Sequence, residues 1–186
     1  MRDAIIHLML GIVLGVSSFR AVAQDLPRDV NQGFIVSAGD VCPDFALAMC
    51  DGDTLDSDFW RGRVVMLQFI APWCPVSFAE VRRTETKIWQ RFGENPDFVM
   101  ISVNVDSVND GLAAFVERTG AHCPFAVDNS GDVFSRFAHR TAGVTRSVLI
   151  SADGRIRMLT RLYNRRKVRR LARGISAELK RVGQIK

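Results

Sequence analysis

Hydrophobic residues along the chain fall into short continuous runs and into sets with helical spacing. Two runs, residues 63–69 and 98–105, are almost entirely apolar, which is typical of strands buried on both faces of a sheet. The segment between them, residues 75–92, carries apolar side chains at helical spacing, namely Phe78, Val81, Ile88, Trp89 and Phe92. This pattern predicts a buried strand, an amphipathic helix and a second buried strand in succession.

The flanking segments predict a hairpin on each side of this unit. Residues 45–47 and 54–55 surround an Asp-Gly-Asp turn, and residues 147–150 and 156–159 surround Ala-Asp-Gly. The other predicted elements are a helix at 108–118, a strand at 124–127, a helix at 130–138 and a final helix from about residue 165. Alternating strands and helices that end in a hairpin and a helix predict a three-layer α/β fold. Its mixed central sheet is flanked by helices and preceded by the N-terminal β-hairpin.

The first 23 residues have the features of a secretory signal peptide. Arg2 precedes an apolar run over residues 4–16, and Ala21-Val22-Ala23 offers a small-x-small cleavage site. The run is shorter than the roughly 20 apolar residues of a membrane span, although an uncleaved anchor is the alternative. Residues 24–40 show no periodicity and predict a linker, which leaves residues 41–186 as the folded domain. The protein is therefore expected to be exported, into the periplasm if the source is bacterial.

The charge is unevenly distributed along a chain of otherwise ordinary globular composition. From Arg155 onward there are 12 lysines and arginines against one glutamate, whereas residues 24–154 hold 11 basic and 18 acidic residues. The C-terminal basic helix is either a solvated surface or a contact for the acidic body, an acidic partner or anionic membrane lipid. We do not expect nucleic acid as a partner, because the chain has an export signal and no nucleic-acid-binding motif.

The chain contains four cysteines, at positions 42, 50, 74 and 123. An exported protein meets oxidising conditions, so these cysteines can pair, and three pairings are open. Cys42 and Cys50 both lie near the N-terminal hairpin and are candidates to pair with each other. No Cys-x-x-Cys pair is present, and neither His122 nor His139 stands at a typical metal-ligand spacing, so we predict no metal site and no cofactor.

The stretch FIAPWCPVSFAE, residues 69–80, places Cys74 where a buried strand ends and a helix begins. Unpaired N–H groups of the first helical turn and the helix dipole both favour a thiolate there, with a pKa of roughly 3.5–7.5 in such settings. Pro75 suits the first helical turn, Trp73 would shield one side of the sulfur, and Ser77 can donate a hydrogen bond to it. The alternative is that Cys74 is only a small buried hydrophobic residue.

The block from Val41 to Glu80 resembles the opening of TlpA-type thioredoxin-like proteins, a branch of the redoxin and AhpC/TSA (thiol-specific antioxidant) group. The segments ISVNVDS, CPFAVDNSGDVF and TRSVLISADGRI resemble the later strands, so the resemblance covers about residues 41–160. It implies a thioredoxin-like fold and an exported thiol–disulfide oxidoreductase that serves redox homeostasis. By position, Cys74 matches the attacking cysteine, Glu80 the nearby acidic residue, and Gln68 a buried polar site.

The sequence departs from this family pattern at three places. Ser77 replaces the resolving cysteine, and Cys42 replaces an alanine that usually precedes proline. Thr145 or Arg146 fills the place of the cis-proline that faces the active site, so the resemblance implies that both face the substrate, together with Trp73 and Pro75.

The missing second cysteine determines which mechanism is open to Cys74. Thiol–disulfide exchange passes through a mixed disulfide that another thiol must resolve. Cys123 is not expected to do so, because it precedes its strand whereas Cys74 follows one, and a five-residue strand separates such ends by about 16 Å. The expected resolver is a small external thiol or a thiol of a partner protein. Glu80 is either a proton shuttle with a pKa raised by burial or an ordinary solvated glutamate.

Two other functions remain open. A one-cysteine thiol peroxidase would oxidise the thiolate to a sulfenic acid, with Arg146 stabilising a peroxide oxygen unless it is a surface or loop arginine. Against this, Leu67 and Ala71 occupy the positions of the peroxide-binding proline and threonine of peroxiredoxins. A catalytically silent thioredoxin-like module that binds partner proteins is the third reading, and slow alkylation of Cys74 would indicate it.

Overall fold

The structure, a computed structural model, describes residues 32–106 and 111–185. The predicted signal peptide at residues 1–23 and the first part of the predicted linker, residues 24–31, lie outside the described residues.

The described residues form strands, α-helices and two shorter helical segments. The strands are β1 (Leu47–Met49), β2 (Thr54–Leu55), β3 (Val64–Ile70), β4 (Phe98–Asn104), β5 (Phe125–Val127), β6 (Arg146–Ile150) and β7 (Ile156–Arg161). The α-helices are α1 (Ser57–Trp60), α2 (Pro75–Thr84), α3 (Gln90–Phe92), α4 (Leu112–Thr119) and α5 (Arg165–Ile185). A π-helical segment, Glu85–Trp89, joins α2 to α3, and a 3-10 turn, Phe134–Arg136, lies between β5 and β6.

The strands form one mixed sheet in the order β2-β1-β5-β4-β3-β6-β7. The three inner strands β3, β4 and β5 run parallel, whereas β1 pairs antiparallel with β5 and β6 pairs antiparallel with β3. Every residue of β3 and β4 is buried, as their continuous apolar runs predict. The predicted thioredoxin-like fold with a mixed sheet flanked by helices is confirmed.

A hydrophobic core lies on each face of the sheet. Helices α2, α4 and α5 cover one face, with buried side chains that include Val81, Phe115, Leu171 and Ile175. The other face holds an aromatic cluster in which Phe45 stacks on Trp60 at 4.4 Å between ring centroids. Each large side chain buried in this way contributes about 1.5–3 kcal/mol. No helix within residues 32–106 and 111–185 is both long enough and apolar enough to cross a bilayer.

The predicted elements are present except where side chains redirect the backbone. The N-terminal hairpin pairs Leu47 with Leu55, and the second hairpin pairs β6 with β7. The predicted helix at 130–138 is wrong, because that segment forms only the short 3-10 turn. The Asp128 carboxylate accepts the backbone N–H groups of Val133 and Phe134, at 3.2 and 2.8 Å, and so holds the chain in a turn.

The predicted linker is wrong for residues 34–40, which pack on the domain. Phe34 is buried and forms a β-bridge with Ala138, and the N–H of Gly39 donates to the carbonyl of Ile156 at 2.8 Å. An irregular segment has no periodicity to indicate burial, so a single anchoring aromatic residue is not visible in the pattern.

Candidate functional site

Cys74 lies at the start of α2, directly after the loop that leaves the central strand β3. It is the N-cap residue of the helix, and Pro75 occupies the first helical position, as predicted. The Cys74 N–H donates to the carbonyl of Ala71 at 3.0 Å, and its carbonyl accepts the N–H of Phe78 at 3.1 Å. The side chain is partly exposed, and the adjacent Trp73 is 69% exposed. The sulfur is therefore positioned by the helix start and stays within reach of solvent.

Two hydroxyl groups lie beside the Cys74 sulfur. The Thr145 Oγ1 is 3.5 Å from the Cys74 Sγ and 2.9 Å from the Ser77 Oγ, which also accepts the N–H of Ala71 at 3.3 Å. Ser77 is completely buried. The serine that stands in place of the second cysteine thus links Cys74, through Thr145, to the strand β6.

These groups lower the pKa of Cys74 below its ordinary value. Burial is the largest single effect and raises the pKa, but the hydrogen bonds to the thiolate outweigh it together. They come from the Thr145 hydroxyl, from the hydroxyl and N–H of Ser77, and from the N–H of Val76. The first-turn N–H groups and the dipole of the helix act in the same direction.

Glu80 lies on the buried side of α2, with its side chain 2% exposed. Burial raises its pKa to about 7, although a hydrogen bond from the Ser147 hydroxyl at 2.9 Å and the charge of Lys167 act against this. Of the two interpretations of Glu80, the one that makes it an ordinary solvated glutamate is wrong. Its proton-shuttle role stays a prediction, because its observed partner is Ser147 and not Cys74.

Ser147 is a site residue that the sequence analysis missed. Thr145 and Ser147 are two residues apart along one extended segment, so their side chains point to the same face of the sheet, towards α2. The two hydroxyls reach Ser77 and Glu80, which are three residues apart on one face of the helix. A two-residue repeat of hydroxyl side chains after residue 144 is the signal that could have identified this pairing.

Arg146 is not brought to the site, contrary to the prediction that it faces the substrate. It is 1% exposed, and its guanidinium carbon lies 4.5 Å from the centroid of the Phe34 ring, in the aromatic core on the opposite face from α2. Its Nε donates to the carbonyl of Gly143 at 2.8 Å. Strand alternation explains this, since neighbouring residues of β6 point to opposite faces. The alternative of a surface or loop arginine is wrong as well, because Arg146 is buried in β6.

The other cysteines are placed away from Cys74 and are all unpaired. Cys123 is buried, its Sγ lies 3.4 Å from the Ser102 Oγ, and burial raises its pKa to about 11. Cys42 lies beside the turn between β6 and β7, where its N–H donates to Gly154, and burial raises its pKa to about 12.

Cys50 lies beside β5 instead, where its N–H donates to Phe125 at 2.9 Å. The suggested Cys42–Cys50 pair is therefore not formed, and both thiols are free. Among the described residues, no three His, Cys, Asp or Glu side chains are grouped closely enough to hold a metal ion.

Gln68 extends the buried polar layer beneath α2. Its Oε1 accepts hydrogen bonds from the hydroxyls of Thr84 and Ser102, at 3.0 and 3.4 Å. Ser102 in turn contacts Cys123. The resemblance identified the position as polar and buried, and the structure confirms the burial of Gln68.

Comparisons with known proteins agree with this geometry. The redoxin family model matches residues 37–175. The thiol-disulfide oxidoreductase ResA of Geobacillus thermodenitrificans is 25% identical over 126 residues, which cover 67% of this chain and 69% of that protein.

Two solved structures share the fold at high similarity. A solution structure of a candidate protein disulfide isomerase from Bacteroides thetaiotaomicron is 40% identical, with a TM-score of 0.76, covering 80% of this chain and 93% of the other. A candidate thiol:disulfide interchange protein DsbE from Chlorobium tepidum is 24% identical, with a TM-score of 0.68, covering 77% and 99%. The chain therefore belongs to the redoxin family and is a thioredoxin-fold protein of the thiol–disulfide oxidoreductase type.

Proposed function

We propose that the protein is an exported thiol–disulfide oxidoreductase in which Cys74 is the only cysteine that exchanges. The observation that carries this proposal is the environment of the Cys74 sulfur. It is partly exposed at a helix start, has a lowered pKa, and contacts Thr145, which bonds Ser77 at the position where a second cysteine would resolve the intermediate.

The exchange has two balanced steps. In the first, the Cys74 thiolate attacks a disulfide R–S–S–R′, a Cys74–S–S–R bond forms, and R′–S⁻ leaves with the bonding electron pair. In the second, an external thiolate attacks the sulfur of R, which forms a new disulfide and releases the Cys74 thiolate. The external thiol belongs to a small molecule or to a partner protein, because Ser77 offers no sulfur and Cys123 is buried with a pKa of about 11.

Glu80 would act as the proton store of this cycle. With a pKa of about 7 it is half-protonated near neutral pH, so it can give a proton to a leaving thiolate or take one from an attacking thiol. Ser147 holds one carboxylate oxygen and is the positioning residue for Glu80. Trp73 is 69% exposed and would stand beside an approaching substrate, whereas Thr145 is 1% exposed and contacts the sulfur from the buried side.

The test is to trap the mixed disulfide. The protein is purified from its native host under acid quench, and mass spectrometry identifies what is bound to Cys74, with Cys74→Ser as the matched variant. We expect an adduct on Cys74 and none on the variant. An adduct-free Cys74 that also alkylates as slowly as an ordinary thiol would contradict the proposal and favour the silent partner-binding module.

Restoring the second sulfur gives an independent test. In Ser77→Cys, the new thiol lies one helical turn from Cys74 and should resolve the mixed disulfide internally. We expect reduction of a protein disulfide such as insulin to become at least about tenfold faster with a dithiol reductant. An unchanged rate would mean that Cys74 does not form the intermediate.

The peroxidase alternative is tested by measuring hydrogen peroxide consumption with an added thiol. This alternative lacks the arginine predicted to stabilise the peroxide oxygen, because Arg146 lies on the opposite face of the sheet.

We propose further that the exposed basic face of α5 associates with anionic surfaces. Five arginines of this helix are exposed, at positions 165, 166, 169, 170 and 173. Each basic residue near an anionic membrane contributes about 1 kcal/mol. Co-sedimentation with phosphatidylglycerol vesicles should therefore be strong at low salt and fall steeply as salt rises, with phosphatidylcholine vesicles as the control. Absence of binding at low salt would contradict the proposal.

A further inference from the structure

A groove that the mechanism above does not use lies between α2 and the connection from β7 to α5. It has a volume of about 500 Å³, and its lining includes Phe78, Arg82, Arg83, Tyr163 and Arg165. This volume lies within the range of about 300–1,000 Å³ that is usual for small-molecule sites. The groove, which we call the arginine groove, is lined by three arginines and the only tyrosine of the chain.

Backbone hydrogen bonds connect both walls of the arginine groove to the segments that carry Cys74 and Thr145. On the α2 side, the N–H of Phe78 donates to the Cys74 carbonyl at 3.1 Å. On the other side, Tyr163 follows Leu162, whose N–H donates to the carbonyl of Thr145 at 2.9 Å. Thr145 in turn contacts the Cys74 sulfur. The edge of the groove at Phe78 is therefore one helical turn from Cys74.

Two arginines near the groove, Arg82 and Arg118, place their guanidinium groups over the Phe78 ring. The guanidinium carbon of Arg82 lies 5.9 Å from the centroid of the Phe78 ring, and that of Arg118 lies 5.2 Å from the same ring. Stacking of this kind fixes a guanidinium and leaves its N–H edge available. The ion pairs within residues 32–106 and 111–185 involve neither of these arginines, nor Arg83 or Arg165.

One donor in the groove lacks an acceptor. The Nε of Arg83 is buried and has no hydrogen-bond partner among the described residues. A buried donor without an acceptor is uncommon in a native protein, so the protein does not hold the Arg83 guanidinium at this atom.

We propose that the arginine groove binds the carboxylate groups of a small thiol or disulfide that exchanges with Cys74. The inference rests on the proposed function, because it names the class of the external thiol. Arginine recognises carboxylates through paired N–H donors, and the Tyr163 hydroxyl adds a further donor. Phe78 and Arg82 are four and eight residues beyond Cys74, or about 6 and 12 Å along a helix, and helical side chains lean back towards the N-terminus. A small thiol whose carboxylate lies about 6 to 12 Å from its sulfur fits this spacing.

In the cycle, this small thiolate attacks the substrate sulfur of the mixed disulfide on Cys74. A disulfide forms between substrate and small thiol, and the Cys74 thiolate leaves with the electron pair. The groove would hold the carboxylates during this attack and so raise the local concentration of the resolver.

Binding is tested apart from exchange with S-methylglutathione, a carboxylate-bearing probe whose sulfur cannot exchange. NMR titration of the full chain should show saturable shifts at Phe78 and Tyr163. Arg82→Glu and Arg165→Glu should weaken binding at least tenfold. The matched control is Arg169→Glu, which makes the same charge change on an exposed residue of α5 one turn from Arg165, and it should change the affinity less than twofold.

Exchange is tested with glutathione disulfide, with its ethyl ester and with the neutral reagent iodoacetamide. Each rate of reaction with Cys74 is divided by the iodoacetamide rate of the same variant. In the native chain, this normalised rate should be about tenfold higher for glutathione disulfide than for its ethyl ester. Arg82→Glu and Arg165→Glu should abolish this preference, whereas Arg169→Glu should keep it.

Three results of the binding experiments would overturn the inference. They are the absence of binding at millimolar S-methylglutathione, an equal loss in Arg169→Glu, and binding of an oligoglutamate peptide in place of the small probe. Rapid reaction with iodoacetamide but no carboxylate preference would overturn the inference and leave the proposed function standing. Slow reaction with iodoacetamide, together with groove binding of S-methylglutathione, would instead contradict the proposed function and the role of the groove in exchange.

Discussion

Cys74 and Cys123 have similar hydroxyl neighbours and opposite chemistry. The Cys74 Sγ lies 3.5 Å from a threonine hydroxyl, and the Cys123 Sγ lies 3.4 Å from a serine hydroxyl. The pKa of Cys74 is lowered, whereas burial and the nearby Glu85 carboxylate raise that of Cys123 to about 11. A single hydroxyl is therefore not sufficient to make a thiolate. The free N–H groups of the α2 start and partial exposure make the difference.

The largest expected effect is on the alkylation of the two thiols. In the folded protein at pH 7, iodoacetamide should modify Cys74 at least about 100-fold faster than Cys123. The pKa of Cys74 is lowered and its side chain is partly exposed, whereas Cys123 is buried and has a pKa of about 11. Mass spectrometry of peptides from a time course measures both rates. In Cys74→Ser the fast phase should vanish, and Cys123 should react only after unfolding. Comparable rates for the two thiols would remove the basis of the comparison.

A second expected effect is a pH dependence of the free energy of unfolding that comes from Glu80, in the region of Cys74. Glu80 in the Cys74 region has a pKa of about 7 in the folded protein and 4.5 as an unperturbed group, so the folded state binds an extra proton between these values. The stabilisation from this proton is complete below pH 4.5 and is lost as the pH rises through 7. Glu80→Gln should therefore match the native chain at pH 4 and exceed its free energy of unfolding by about 3 kcal/mol at pH 8.

Urea denaturation at the two pH values measures this difference. Glu94→Gln, at an exposed glutamate, is the matched control and should show no such dependence. If Glu80→Gln were equally stable relative to the native chain at both pH values, Glu80 would not titrate in this range.

The smallest expected effect comes from removing the neighbouring hydroxyl group that contacts each cysteine sulfur. Thr145→Val should raise the pKa of Cys74 and slow its alkylation at pH 7 about fivefold, which corresponds to the loss of one hydrogen bond of about 1 kcal/mol. Thr145→Ser should restore the rate. Ser102→Ala, the equivalent change beside Cys123, should leave the Cys74 rate unaltered. An unchanged rate in Thr145→Val would assign the lowered pKa to the helix start and the Ser77 hydroxyl.

The strands and the start of α2 were predictable because their signals are local. A continuous apolar run indicates a strand buried on both faces, and Cys74-Pro75 after such a run indicates the first turn of a helix. The chemistry of Cys74 follows from that position. The segment at 130–138 was not predictable in the same way, since the Asp128 carboxylate, several residues earlier, decides its conformation.

The sequence by itself determined the sheet strands, the helix that begins at Cys74 and the absence of a second thiol at Ser77, because each of these depends on neighbouring residues. Only the tertiary structure decided that Arg146 packs on Phe34, that Glu80 is buried against Ser147, and that Arg82 and Arg165 line one groove. These contacts join residues 67 to 112 positions apart, and burial or charge at such a contact depends on which chain segments meet. No periodicity within one segment carries that information.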